Sequence, residues 1–297
     1  MTASGDRIIR MNIIELTSDN VSEFEDILDP DIAESIGREF YCGIVAKDPG
    51  SAPLGALIWE YKNLEEDVDT DAEICYIRSE NEEAMQELLN QFDRQTSGEE
   101  VCLSFFETKE LSDGLWQVFS EDGFDVRKGE GRDLVARVSD LRLYAERKRK
   151  ISGKIRGFKD LQQVRFMQGI TNCLFHGKKG LMEDLEYIDK SWFDEEVSCC
   201  VITDGMVNGM LLVHRFPSGD LMPVLFTAIG PDANKDLLRM FYYSCQKAVE
   251  RYPEDTRILV RRHNDSVVTL AKKLFAGRSG EQVVSGERGQ TIGKAEG

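Results

Sequence analysis

The strongest constraint on this chain is an order of elements that it writes twice: a strand pair, a third strand, a helix, a short strand and a helix. In the first half, "FYCGIVAKD" (40–48) and "LGALIWEYK" (54–62) read as strands on either side of the turn residues "PGSAP", and "AEICYIR" (72–78) as a third. "NEEAMQELLNQFDRQ" (81–95) places Ala84, Met85, Leu88, Leu89 and Phe92 on one stripe of a helix. "VCLSFF" (101–106) is a short buried strand and "LSDGLWQVFSEDGF" (111–124) a short helix, followed by two weaker strands, "FDVRK" and "DLVARV". The second half repeats the order. "VSCCVITD" (197–204) and "GMLLVHRF" (209–216) pair around Asp204-Gly205 and Asn208-Gly209 turn chemistry, and "LMPVLFTAI" (221–229) is the third strand. A helix over 234–252, the strand "RILVRR" (257–262) and the helix "NDSVVTLAKKLF" (264–275) follow. Helical material precedes each set, "NVSEFEDIL" in the first half and "FKDLQQVRFMQGITNCLF" in the second. A strand joined to the next through a helix runs parallel to it, whereas a tight hairpin is antiparallel. The expected class is therefore α/β: two domains, each a mixed, mostly antiparallel sheet with helices on both faces.

A chain of 297 residues accommodates two domains. The basic stretch "LYAERKRKISGKIRG" (143–157) is the expected linker, solvated, between an acidic N-terminal domain (1–142) and a C-terminal domain (158–297). Residues 1–145 hold 13 Lys+Arg against 34 Asp+Glu, and the remainder 24 against 20. The first half therefore repels nucleic acid and anionic membrane, while the second can accept an anionic ligand; equally, the two halves can attract each other. No apolar run approaches the roughly 20 residues that span a bilayer, and the N-terminus lacks a signal-peptide core, so the expected location is cytoplasmic, with no membrane and no nucleic-acid partner. Seven cysteines form no C-x-x-C pair and read as free, buried thiols. The three histidines lie far apart, without zinc-ligand spacing, and the acidic loop 63–73 lacks the order of a calcium loop, so no metal is expected. Arg261-Arg262 ends a strand at the edge where open α/β sheets bind ligands, and is a secondary anion contact.

The order of elements resembles the GNAT N-acetyltransferase superfamily over nearly all of both halves. The local matches are "TRILVRRHNDSVVTLAKKLF" (256–275), similar to that family's strand, asparagine and short helix beside coenzyme A, and "VCLSFFETKELSDGLWQVFSEDGF" (101–124), with its Gly123-Phe124 ending. The whole chain looks like a tandem GNAT protein. The resemblance implies acetyl-CoA as donor and an amine, small or on a protein, as acceptor. It also implies a pyrophosphate loop, Arg/Gln-x-x-Gly-x-Gly/Ala, between a strand and a helix. There a helix N-terminus offers unpaired N–H groups and a partial positive charge. Registered on Leu237-Leu238, the Arg/Gln position falls on Ile229 and the small positions on Asp232 and Asn234; in the first half they fall on Glu80, Glu83 and Met85. Neither half carries the motif. "IGPDANKDLL" reads equally as a well-made helix start, and Asp232 there would repel a phosphate.

The cofactor contacts implied for the second half are the backbone of Thr227, Ala228 and Ile229 against the pantetheine arm, with Gly230, Asn234 and Lys235 at the helix start and Asn264 alongside. No catalytic residue is assigned. The position where the family often places a proton-donating tyrosine falls on Ala271 in the second half and Phe119 in the first, and Glu73 is the one candidate base. Two readings stand: an acyl-CoA-dependent N-acetyltransferase with a divergent site in the second half, or a non-catalytic GNAT-fold module that binds a ligand or a protein. A monomer is expected, with the two halves forming an internal pseudo-dimer.

Overall fold

A computed structural model describes residues 11–48, 50, 52–63, 69–98, 101–146 and 154–289 of the chain. In chain order the strands and helices are β1 (Asn12–Glu15), α1 (Pro30–Ala33), β2 (Tyr41–Lys47), β3 (Pro53–Lys62), β4 (Thr70–Ser79), α2 (Glu82–Gly98), β5 (Val101–Thr108), α3 (Asp113–Glu121), β6 (Asp125–Arg137), α4 (Arg142–Ala145), β7 (Ile155–Gly157), α5 (Gln163–Phe175), β8 (Cys199–Thr203), β9 (Met206–Arg215), β10 (Leu221–Ala228), α6 (Ala233–Arg251), β11 (Arg257–Arg261), α7 (Asp265–Leu274) and β12 (Gly280–Gly289). The chain divides into two units, one of residues 1–129 with 282–297 and one of residues 130–281.

The division differs from the expected 1–142 and 158–297 because each unit takes a strand from outside its half. In the first unit the order is β1-β2-β3-β4-β5-β12, and β12 pairs antiparallel with β5 from Val284↔Thr108 to Gly289↔Leu103. In the second unit the order is β6-β11-β10-β9-β8-β7, and β6 pairs antiparallel with β11 from Arg137↔Arg257 to Asp133↔Arg261. The two weak strands expected at 124–138 are one strand, β6, whose first five residues belong to the first unit. Its Gly129 and Gly131 interrupt the apolar pattern without ending the strand. Strand β12 has no counterpart in the expected order. Its "GEQVVSGERG" is polar, and Gly286 faces Phe106 so closely that an added Cβ would lie 2.3 Å from the ring. Of the expected linker, residues 147–153 lie outside the described residues, while those on either side form α4 and β7 in the second unit.

Local chemistry accounts for most other elements. Asp204 and Gly205 both have positive φ (52° and 79°), the two-residue turn that matches strand twist, and they close the β8–β9 hairpin. Asn208-Gly209 lies within β9 instead, where an added Cβ on Gly209 would meet the Thr227 carbonyl at 2.9 Å. "NVSEFEDIL" makes a single 3-10 turn, Val21–Phe24, and its Phe24, Ile27 and Leu28 pack against the sheet residues Val45, Ala56 and Ile58. In the first unit α2 and α3 cover one face around Trp59, Phe92, Phe106 and Phe119. The other face is covered by Leu16, Phe24, Ile27, Leu28 and Ile36. In the second unit α6, α4 and α7 lie over one face, and α5 over the other with Phe158, Phe166 and Phe193. Among the described residues no helix is long and apolar enough to cross a membrane.

Arg288 fastens β12 into the first unit. It binds Asp93 of α2 at 2.5 Å and the Asp122 carboxylate, donates to the Asp122 carbonyl at 3.0 Å, and lies 4.5 Å from the centre of the Phe124 ring. Burial pushes the Asp122 carboxyl up to about 6; Arg288 opposes this and Asp93 adds to it. A carboxyl raised above its unfolded value favours the protonated folded state, so stability is lost as pH rises through about 6. Arg288→Ala is expected to cost about 3 kcal/mol, as removal of one partner of a buried pair does. The deficit should be larger at pH 8 than at pH 5, as read by urea unfolding of the two proteins.

Candidate functional site

Both units contain one parallel strand pair, β4 with β5 and β10 with β11, and in both the pair comes apart. In the first unit Cys75 is an extra residue on β4 between the pairs Ile74↔Trp59 and Tyr76↔Ile58, and parallel pairing ends at Ile74↔Phe106. In the second, Val224 is extra between Pro223↔Val213 and Leu225↔Leu212, and the parallel register holds only Leu221↔Ile258. Pro223 has no N–H to give to either neighbour, which is why prolines in sheets sit at edges and bulges. The separation thus has a visible cause in "LMPVLF". This proline was the signal that could have located the opening from sequence.

The Ile229 amide donates to the Asn208 carbonyl at 2.8 Å, so Ile229 is engaged by β9. Antiparallel pairing alternates, which places the Thr227 groups toward β9 as well and turns the N–H and C=O of Ala228 to the open side. Of the three backbone positions expected to meet a ligand, Ala228 is the one with both groups available. Gly230 follows in an open bend: its φ is 93°, and no heavy atom lies within 4 Å of where a Cβ would stand. A larger residue would fit the space there but would strain the left-handed backbone. Asn234 and Lys235 are exposed in the first turn of α6. Asp232 does not cap that helix with its side chain; it pairs with Lys235 at 2.9 Å. The hydrogen bond and charge of Lys235 hold its carboxyl below the usual range, helped by Lys154 and Arg239. The Asn234 amide has no hydrogen-bond partner among the described residues. Asp236, buried one turn on, is neutralised by Arg239 at 2.8 Å.

Asn264 stands at the end of β11, on the same sheet edge, but as the N-cap of α7: its side-chain oxygen accepts from Val267 N–H at 3.0 Å. Arg261 and Arg262 are turned to Asp133 (2.7 Å) and Glu130 (2.8 Å), so the secondary anion contact expected there is occupied by the protein's own carboxylates.

The first unit presents the same junction in closed form. Asn81 caps α2 through Ala84 N–H at 2.9 Å. Glu82 lies so close to Gly114 of α3 that an added Cβ there would be 2.0 Å from its carboxylate. Glu73, the candidate base, is 7% exposed and sits 3.3 Å from the Lys62 ammonium. Lys62 also pairs with Glu60, and Arg38 pairs with Glu60 from the other side. Burial alone would lower the Lys62 pKa; Glu60 and Glu73 outweigh it and raise it. Among the described residues, Glu60, Glu73 and Cys75 are close enough to share a metal ion, but two cations already balance the two carboxylates. Phe119 is fully buried, its ring 4.7 Å from Phe106 and 5.3 Å from Phe124. Burial pushes the Cys173 and Cys200 thiols to about 11 and Cys245 to about 12, far from the ionised state of a nucleophile.

No family model matches the chain, and no curated protein matches its sequence. Solved structures do. A tandem GNAT protein from the clavulanic acid biosynthesis pathway, in a structure without AcCoA, matches with a TM-score of 0.57 at 10% identity, over 94% of this chain and 98% of that one. A C-terminal DUF2156 domain of a putative lysylphosphatidylglycerol synthetase from Agrobacterium fabrum matches with a TM-score of 0.50 at 13% identity, over 92% of this chain and 93% of that one. The chain has the tandem GNAT fold, a mixed α/β fold with mostly antiparallel sheet.

Two substitutions test the local roles. Asn264→Ala should cost about 1 kcal/mol, the ordinary value of a lost N-cap, and Asn264→Asp should recover most of it in thermal unfolding. Lys62→Met leaves two buried carboxylates side by side and should cost about 3–5 kcal/mol. The added substitution Glu73→Gln should return part of that loss in the same assay.

Proposed function

We propose that the second unit binds a coenzyme A thioester, acetyl-CoA in the first instance, and transfers its acyl group to an amine, small or on a protein. The observation that carries this is the open side of β10. After Leu221 the strand has no parallel partner, and the Ala228 amide and carbonyl are left for an extended, amide-containing arm. Thr227 and Ile229 would hold Ala228 in place rather than touch the arm. Gly230, Asn234 and Lys235 would meet the phosphates, with α6 contributing its N-terminal amides. Lys154, Lys235 and Arg239 offset Asp232 and Asp236, in place of the glycine-rich loop. Asn264 would contribute only its amide nitrogen, since its oxygen caps α7. Seven free cysteines agree with a cytoplasmic protein.

The first unit we read as non-catalytic, because Asn81 and Glu82 occupy the place where a phosphate would sit. Ala271 and Phe119, which have no proton to give, favour a second reading for the whole chain: a ligand-binding or protein-interaction module without turnover.

Calorimetric titration with acetyl-CoA tests the binding. Ligand at a hundred times its dissociation constant should stabilise the protein by about 2.7 kcal/mol, a rise of several degrees at about 2–4 °C per kcal/mol. Asn234→Glu should abolish both signals, and Glu82→Gln in the first unit should change neither. Absence of saturable binding at millimolar acetyl-CoA would leave the interaction module as the reading.

A further inference from the structure

We propose that the acceptor served by the second unit is a monoamine on an apolar body, such as an arylalkylamine, seated on Leu259 of β11 and Val135 of β6. The inference rests on the coenzyme reading above and names the acceptor class that reading leaves open.

The two faces of this unit's sheet are covered unequally. Leu134 and Ala136 of β6 and Ile258 of β11 point into the apolar cluster beneath α6 and α7. Successive strand residues face opposite ways, so Asp133, Val135 and Arg137, and Arg257, Leu259 and Arg261, lie on the other face. There the cluster beneath α5 draws its strand residues from β8, β9 and β10 and, among the described residues, none from β11 or β6. Leu259 and Val135 stand opposite each other across the two strands. Both are half-buried, and neither belongs to the clusters on either face. The patch lies where the arm of a coenzyme would end. Strands β10 and β11 are still paired at Leu221↔Ile258, and Leu259 is the next residue along. An arm that leaves the helix start near Gly230 and follows the open side of β10 past Ala228 runs toward that point. The segment after α5 meets the strand there too: the Leu181 amide donates to the carbonyl of Val224, the extra residue of β10, at 2.9 Å. Leu181 and Met222 are half-buried and extend the apolar surface.

The charged groups beside the patch are committed to one another. Arg261 pairs with Asp133 at 2.7 Å, and Arg257 with Asp220 at 3.5 Å and Glu281 at 3.2 Å. Arg137 stands opposite Arg257 in the strand register. Three arginines thus balance three carboxylates, and none of these carboxylates is left to hold a second ammonium. A polyamine would carry its extra charges onto apolar side chains, which is costly. A single amine on an apolar body gains from the same surface. Apolar surroundings also disfavour the charged form of an amine, so the ammonium gives up its proton to water on entry, without a carboxylate base. The neutral nitrogen then forms a bond to the acyl carbon as the C–S bond breaks. The electron pair of that bond stays on sulfur, which takes a proton from water, and water takes the proton that the new amide nitrogen sheds.

The experiment measures thiol release from acetyl-CoA by the full-length protein with three amines: 2-phenylethylamine, ethylamine and spermidine. Calorimetry with acetyl-CoA runs alongside. The wild type is expected to use 2-phenylethylamine about tenfold or more better than ethylamine in kcat/KM, the ordinary effect of burying an aromatic body, and to use spermidine less well than 2-phenylethylamine. Leu259→Ala and Val135→Ala should each reduce the preference for the aromatic amine about threefold or more, with acetyl-CoA affinity as in the wild type. Equal use of ethylamine and 2-phenylethylamine, or a preference for spermidine, by a protein that binds acetyl-CoA overturns the proposal and spares the coenzyme reading. Binding of acetyl-CoA without transfer to any of the three amines overturns it as well. Absence of acetyl-CoA binding would instead remove the coenzyme reading and the acceptor assignment with it. The wild-type comparison decides between these results even where a variant fails to fold.

Discussion

A parallel strand pair cannot be closed by a tight turn, and the second unit is arranged around that fact. The chain must leave the end of β10, cross over as α6 and return to begin β11, so the start of α6, the start of α7 and both strand ends gather at one edge. Pro223 and the extra residue Val224 then release β10 from its parallel neighbour after Leu221. What results is unspent backbone polarity, which a folded protein leaves unpaired only where water or a ligand can reach it. The loop, the helix start and the cations near Asp232 matter because they surround that released strand.

The first unit shows how the same frame is closed. Its parallel pair holds from Thr70 to Ile74 before separating, its helix start is capped by Asn81, and Glu82 is packed on Gly114. Arg38, ahead of β2, joins Glu60 and Lys62 of β3 and Glu73 of β4 in a balanced buried network, where a lone Glu73 would have been a base in search of a substrate. Such a network commits its charges to each other and contributes registry more than stability. The two units share a backbone solution and differ in what their side chains do with it.

Much of the architecture was legible because it depends on short-range periodicity. The stripe of Ala84, Met85, Leu88, Leu89 and Phe92 could only be a helix with a buried face, and all five are fully buried. The apolar run of β3 and the Asp204-Gly205 turn were equally local. The site was legible in part: the β10–α6 junction and Asn264 do lie on one sheet edge. Sequence could not say that Asn264 spends its oxygen on a cap, nor that Ile229 is engaged by Asn208. Nor could it reveal β12, whose glycine and charged residues form no strand pattern and whose Gly286 leaves room for the Phe106 ring.

Sequence alone thus settled the strands and helices that recur in both halves, that the parallel steps occur once in each half, and that neither junction has the glycines of a pyrophosphate loop. These follow from spacing and from residue chemistry that acts within a few positions. Tertiary structure decided where the units divide, and which junction is open and which is closed. Each of those depends on which distant segments meet, and a hydrogen bond or ion pair exists only once the fold has brought both of its partners together.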